Sequence, residues 1–199
     1  WLVILYLRLP HLIWHSGILM AWFTDKGLVM YKDFLNFYFP LSTYFVWPFL
    51  KLTNWNLETE PLLSLVIALL TLIVLFMTAG KSLSPLGISI SLLFFTLLFY
   101  YFTTAVQYSG EAITGLFLVL TTNRILNFLK SGGNTLNLFF IGILVSITLL
   151  FNQISALSLI ALTIYLLFNI YKISGKRVFL NKFLILAPSA LVPVILVSL

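Results

Sequence analysis

Asp25, Asp33, Glu58, Glu60 and Glu111 are all the carboxylates this chain carries, and their neighbours decide what chemistry each could do. Asp33 sits in the phrase GLVMYKDF beside Lys32, and Asp25 stands beside Lys26. A carboxylate at a membrane surface suits the task of taking a proton from an attacking hydroxyl. Cations or hydrogen-bond donors are then needed where negative charge develops on a departing group. Arg8, Lys26, Lys32 and Lys51 are the basic residues expected on the same membrane face as these acids, and His15, Tyr31, Tyr44, Glu111 and Gln153 are the polar and aromatic residues considered with them. The candidate set therefore has Asp33 and Asp25 as acids, with Arg8, His15, Tyr31, Lys32, Tyr44, Glu111 and Gln153 as binding residues. Neither the carboxylates nor the histidines show a metal-ligand spacing, although a divalent metal bridging carboxylate and phosphate is compatible with such chemistry.

Plainer readings compete for the same residues. Asp33 with Lys32, and Asp25 with Lys26, could be solvated ion pairs of little consequence. Glu58 and Glu60 precede Pro61, where negative charge favours a helix start. Glu111 follows Ser109, an N-cap residue type. His11, His15 and the aromatic residues fit interfacial anchors, and Asn152 with Gln153 fits a turn.

These residues must be positioned by a membrane protein. Hydrophobic residues make up 61% of the 199-residue chain and charged residues 8%, with a mean hydropathy of +1.11. A soluble chain carries about a quarter charged residues. No alternating β-barrel pattern is present, so helices must satisfy the backbone within the bilayer. At about 20 residues per span, the chain is expected to form an all-α integral membrane domain over residues 1–199, with about six or seven transmembrane helices and an amphipathic outer-face loop, residues 15–60, after the first span. The chain contains no cysteine, which removes disulfides, thiolate metal sites and thiol nucleophiles. The net charge of +6 is scattered between apolar runs, so it orients helices and does not indicate nucleic acid.

Charges mark the span ends. Residues 61–80 are uncharged between Glu60 and Lys81, and a turn is expected over Lys81–Pro85. A second span lies between Lys81 and Glu111, and a third runs from Ala112 to about Leu129. Residues 131–171 are long enough for two antiparallel spans, divided at Asn152 and Gln153. A last apolar segment holds Pro188 and Pro193 as expected kinks. Basic residues accumulate on the cytoplasmic side of short loops. Placing Lys172, Lys176, Arg177 and Lys182 inside puts Lys81, Arg124 and Lys130 near the inner face and all five carboxylates near the outer face.

The opening loop carries a resemblance. Tyr31, Asp33 and Phe34 form a tyrosine-x-aspartate-phenylalanine element, Pro40, Leu41 and Tyr44 form a proline-leucine-x-tyrosine element, and LRLP at 7–10 leads into the loop. This order resembles the first outer loop of the GT-C membrane glycosyltransferases, the group that includes protein O-mannosyltransferase and aminoarabinose transferase relatives. The resemblance implies inverting transfer of a sugar from a polyprenyl-phosphate carrier to an acceptor hydroxyl on a glycan, lipid or protein. It also implies that this chain is the N-terminal portion of a longer one, in a multi-pass prokaryotic plasma membrane. Where the family carries an acidic pair, this chain has His15 and Ser16. A non-catalytic transporter, flippase or accessory subunit is the alternative.

Overall fold

The computed structural model describes residues 16–34, 40–81, 83–102, 110–131 and 134–198. They are helical throughout, and no strand is present among them; Met30 and Phe34 make one isolated bridge. In chain order the helices are α1 (Ser16–Asp25), α2 (Pro40–Leu52), α3 (Thr59–Ala79), α4 (Pro85–Phe102), α5 (Gly110–Lys130) and α6 (Thr135–Phe151). A final helical run, Ala156–Ser198, follows a short 3-10 turn at Gln153–Ser155. Gly175 breaks that run with φ 75° and ψ 174°, a backbone state that glycine adopts without a Cβ penalty. The chain folds back there into α7 (Gln153–Ile173) and α8 (Gly175–Val197), and Leu166 and Leu186 meet in one apolar cluster. Pro188 and Pro193 lie inside α8 with helical dihedrals, so the sharp change of direction belongs to the glycine rather than to these prolines.

Among the described residues four helices, α3, α5, α7 and α8, are long and apolar enough to cross a membrane, and Pro85–Thr96 and Thr135–Phe151 are shorter apolar helices. Their surfaces are arranged for lipid. On α3 the buried face is Glu60, Ser64, Ile67, Ala68, Thr71 and Thr78, while Leu62, Leu69, Ile73, Phe76 and Met77 point outward. Such a helix turns its small and polar residues inward, as helices packed within a bilayer do. The buried hydroxyls are mostly satisfied locally. Thr71, Thr121 and Thr148 each donate to the carbonyl four residues back, at 2.7, 2.7 and 2.6 Å.

The break expected at Asn152 is a helix boundary in the structure. Asn152 ends α6, and its side chain accepts from the Ile154 N–H at 2.9 Å while Ser155 Oγ donates to the Asn152 carbonyl at 2.7 Å. A short polar side chain is the residue type that can hold two helix ends at once. α6 then packs tightly along α8. A Cβ on Gly142 would lie 1.8 Å from Ser189 Oγ and 2.8 Å from the Leu186 carbonyl, so this contact requires glycine. One turn on, Ser146 Oγ donates to the Ala190 carbonyl at 2.5 Å. Small residues on facing helices allow this close approach.

The two ends of the bundle differ in chemistry. At one end Lys81 donates to Asn123 Oδ1, Lys130 donates to the Lys81 carbonyl at 2.5 Å, and Lys182 lies over the Phe128 ring at 5.0 Å. Arg124 belongs to this end and is exposed on α5. At the other end α1 packs on α2, and α2 reaches α3 and α6. There Phe45 of α2 and Phe117 of α5 both meet Phe151 of α6, at centroid distances of 5.7 and 5.3 Å. The described acidic side chains, Asp25, Asp33, Glu58 and Glu60, belong to this second end.

Candidate functional site

The acidic end is built from the loop outward. α1 closes at Gly27, whose φ of 80° lets the Leu28 N–H reach back to the Phe23 carbonyl at 3.1 Å and the Gly27 N–H to Thr24 at 3.0 Å. These are the paired bonds of a Schellman C-cap. The chain then turns through Val29–Phe34. Asp33 holds this turn from both sides, since its Oδ2 accepts from the Val29 N–H at 2.7 Å and its own N–H donates to the Val29 carbonyl at 2.8 Å. Tyr31, at φ 66°, donates its N–H to the Phe34 carbonyl at 2.8 Å, and Phe34 packs on Phe23 of α1 at 5.3 Å. The Asp33 side chain is exposed, and its Oδ1 accepts no hydrogen bond within the described residues. It thus has one oxygen committed to the turn and one available. Lys32 is exposed beside it and forms no ion pair with it.

Asp25 is held by different partners from the one its sequence neighbour suggested. Its Oδ1 accepts from Lys51 Nζ at 3.0 Å and from Trp47 Nε1 at 3.1 Å, both from α2. Lys26 instead lies over the Trp22 ring at 5.6 Å. The Lys51 and Trp47 hydrogen bonds hold the Asp25 carboxyl below its usual value of 3.8. A carboxylate so stabilised is a weaker base and a firmer tether, and it ties the end of α1 to α2. Tyr31 and Tyr44 come into one neighbourhood: burial raises the Tyr31 phenol above 10.0, and Tyr44 adds to the shift.

Gln153 is exposed in the 3-10 turn at the same end, next to the cap at Asn152. Glu111 lies in the first turn of α5, and its side chain is outside the described residues. Arg8 and His15 also lie outside the described residues, as does Ser109, the expected cap of α5. The loop fold therefore brings Tyr31 near Tyr44 and sets Lys32 and Asp33 in the adjoining turn, while Asp25 is engaged with Lys51 and Trp47 of α2. Among the described residues no cluster of three or more histidines or carboxylates could hold a metal ion.

Sequence reasoning passed over Glu60. It lies in the first turn of α3, as a helix-start acid should, but Glu58 is exposed and Glu60 is buried. Glu60 is 1% exposed, its two oxygens accept no hydrogen bond, and Ser64 Oγ, one turn on and also 1% exposed, has no partner either. The Ile18 N–H in the first turn of α1 approaches the carboxyl without closing a hydrogen bond. The pattern was available in outline: Glu60 and Ser64 open the same four-then-three stripe that continues through Ile67 and Thr71. What sequence spacing cannot show is that the folded bundle buries this end of the stripe and directs the Ile18 N–H at it.

No protein-family model, curated protein or solved structure matches this chain. The chemistry of the acidic end has to be argued from its own residues.

Proposed function

We propose that this protein moves a sugar from a polyprenyl-phosphate carrier to an acceptor hydroxyl at the outer membrane face, as a GT-C-type glycosyltransferase or the N-terminal portion of one. The observation that carries the reading is the layer made by α1, the Val29–Phe34 turn and α2. It lies across one end of an apolar bundle and gathers Asp25, Asp33, Tyr31 and Tyr44 there.

Asp33 is the base in this reading. Its free oxygen can accept the proton of the attacking hydroxyl as that oxygen bonds to the anomeric carbon, while the bond from that carbon to the carrier phosphate breaks. Inversion follows from the single displacement. Asp25, with its basicity lowered by Lys51 and Trp47, positions α1 rather than moving a proton. Lys32, exposed next to Asp33, is the cation available to the departing phosphate, with Arg8 as a second. The aromatic surface of α2 faces isoprenoid and sugar in the headgroup plane. The reaction would take place at the cell envelope, with membrane lipid as the surrounding solvent.

The test is sugar transfer from radiolabelled polyprenyl-phosphate sugars in proteoliposomes, with a panel of glycan, lipid and peptide acceptors. Labelled product from one donor and acceptor pair is the expected result. A non-catalytic transporter, flippase or accessory subunit gives no product from any pair. Including Glu111→Gln and His15→Ala in the same assay shows whether these two residues contribute to turnover.

A further inference from the structure

Glu60 and Ser64 break a rule that the other buried polar side chains of the described spans keep. Thr71, Thr78, Thr121 and Thr148 donate to carbonyls of their own helices, Ser146 donates to α8, and Asn152 and Ser155 close a turn. Ser64 does not return its hydroxyl to the carbonyl four residues back, and Glu60 has both oxygens buried and unsatisfied. Buried polar groups in folded proteins are paired with few exceptions, and an exception asks for a reason. The three orphaned atoms lie on one face of one helix, a turn apart, at its outer end.

Their chemistry narrows what fits. Two carboxylate oxygens and a hydroxyl offer mainly acceptors, so the occupant must bring several donors. An anion is disfavoured, because its lone pairs would face those of the carboxyl and hydroxyl oxygens. A cation is disfavoured because the first turn of α1 directs the Ile18 N–H at the same carboxyl, bringing the positive end of a helix there. Two residues are also too few to replace a metal ion's hydration shell. Neutral neighbouring hydroxyls remain: two can donate to the two carboxylate oxygens, and one can exchange a hydrogen bond with Ser64. On the same helix Leu63, Ile67 and Ala68 belong to an apolar cluster that also takes in Ile18 and Ala21 of α1, and an apolar neighbourhood suits the ring face of a sugar.

We infer that Glu60 and Ser64 form a buried subsite for the hydroxyl groups of a sugar, entered at the outer end of the bundle between the first turn of α1 and the start of α3. The inference rests on the reading that this protein handles lipid-linked sugar. The sugar is either the one on the carrier or one on the acceptor, and the two are separable by experiment. Glu60 is 1% exposed and the Ile18 N–H of α1 is directed at it, so entry of a sugar requires the chain to move at this end.

The test measures binding to the protein in nanodiscs by two ligand pairs: polyprenyl-phosphate mannose against bare polyprenyl phosphate, and octyl mannoside against octanol. The readout is the affinity ratio within each pair for wild type, Glu60→Leu and Ser64→Ala. Wild type is expected to favour the sugar-bearing member of one pair, and that pair identifies the source of the sugar. Glu60→Leu is expected to reduce the ratio about 10- to 100-fold, as loss of hydrogen bonds to a charged acceptor does, and Ser64→Ala about 3- to 10-fold. A clear wild-type ratio that both variants retain overturns the subsite and leaves the proposed function standing. Ratios near one for both pairs in wild type overturn the two together. Should Glu60→Leu not fold, the Ser64→Ala ratio decides.

Discussion

Replacing Glu60 by leucine should make the ligand-free protein more stable. A buried carboxyl without a partner costs about 1 to 3 kcal/mol relative to a satisfied or apolar group. Leucine is of similar size and would extend the apolar cluster to which Leu63, Ile67 and Ala68 of the same helix belong. What leucine gives up is the attraction of the carboxylate to the first turn of α1, about 0.3 to 1 kcal/mol for a charge near a helix end. The difference favours leucine by about 1 to 2 kcal/mol. For a chain of this length, that corresponds to a rise in Tm of roughly 2 to 8 °C. The assay is thermal unfolding in a mild detergent, followed by tryptophan fluorescence and by loss of the monodisperse species. A fall in Tm of similar size would refute the reasoning, because it would mean that Glu60 is partnered and that α1 depends on it. A gain in stability with a loss of sugar binding is the trade expected where a strained site is kept for function.

Gly142→Ala should loosen α6 from α8 by about 1 to 3 kcal/mol, the usual cost of overpacking, read as a lower Tm. Adding Ser189→Ala should restore only part of it, because the Leu186 carbonyl also lies 2.8 Å from the new Cβ. For Asp25 the sign runs through its lowered value in the folded state. The stabilisation it gives is present above the unfolded value of 3.8 and is lost as pH falls through the lower folded one. The wild-type melt should therefore have an acid limb that Asp25→Asn flattens, and high salt should weaken the exposed Lys51 pair in the same way. Gly175→Ala should destabilise the α7–α8 hairpin, since alanine is strained at φ 75°; faster proteolysis at the basic loop would report it.

Much of the architecture was readable from where charge interrupts apolar sequence. The turn before Pro85, the span ending at Lys130 and the division at Asn152 follow from residues whose chemistry acts locally: a proline, a terminal lysine and a capping amide. Details set by contacts between distant residues were not readable. Asp25 pairs with Lys51 instead of Lys26 because α2 folds back onto α1, and no spacing rule reaches across that loop. Glu60 is a helix-start acid by sequence, and its burial to 1% exposure is set by tertiary packing. The reversal falls inside the basic cluster Lys172–Lys182 that separates the last two apolar segments, and its place at Gly175 follows from a left-handed backbone state that costs glycine least. The same holds at the acidic end. Asp33 was identifiable as a carboxylate in an aromatic, basic phrase, but its double role, one oxygen in the turn and one free, depends on the chain closing from Val29 to Phe34.

That division of labour at Asp33 gives the most direct test of the central claim. Asparagine at this position can keep the bond from the Val29 N–H through its amide oxygen, so the turn survives while the base is removed. Turnover of a polyprenyl-phosphate sugar in proteoliposomes should fall about 100- to 10,000-fold in Asp33→Asn, with an unchanged melt and unchanged donor binding. Transfer at the wild-type rate by Asp33→Asn would contradict the account and remove Asp33 from the chemistry.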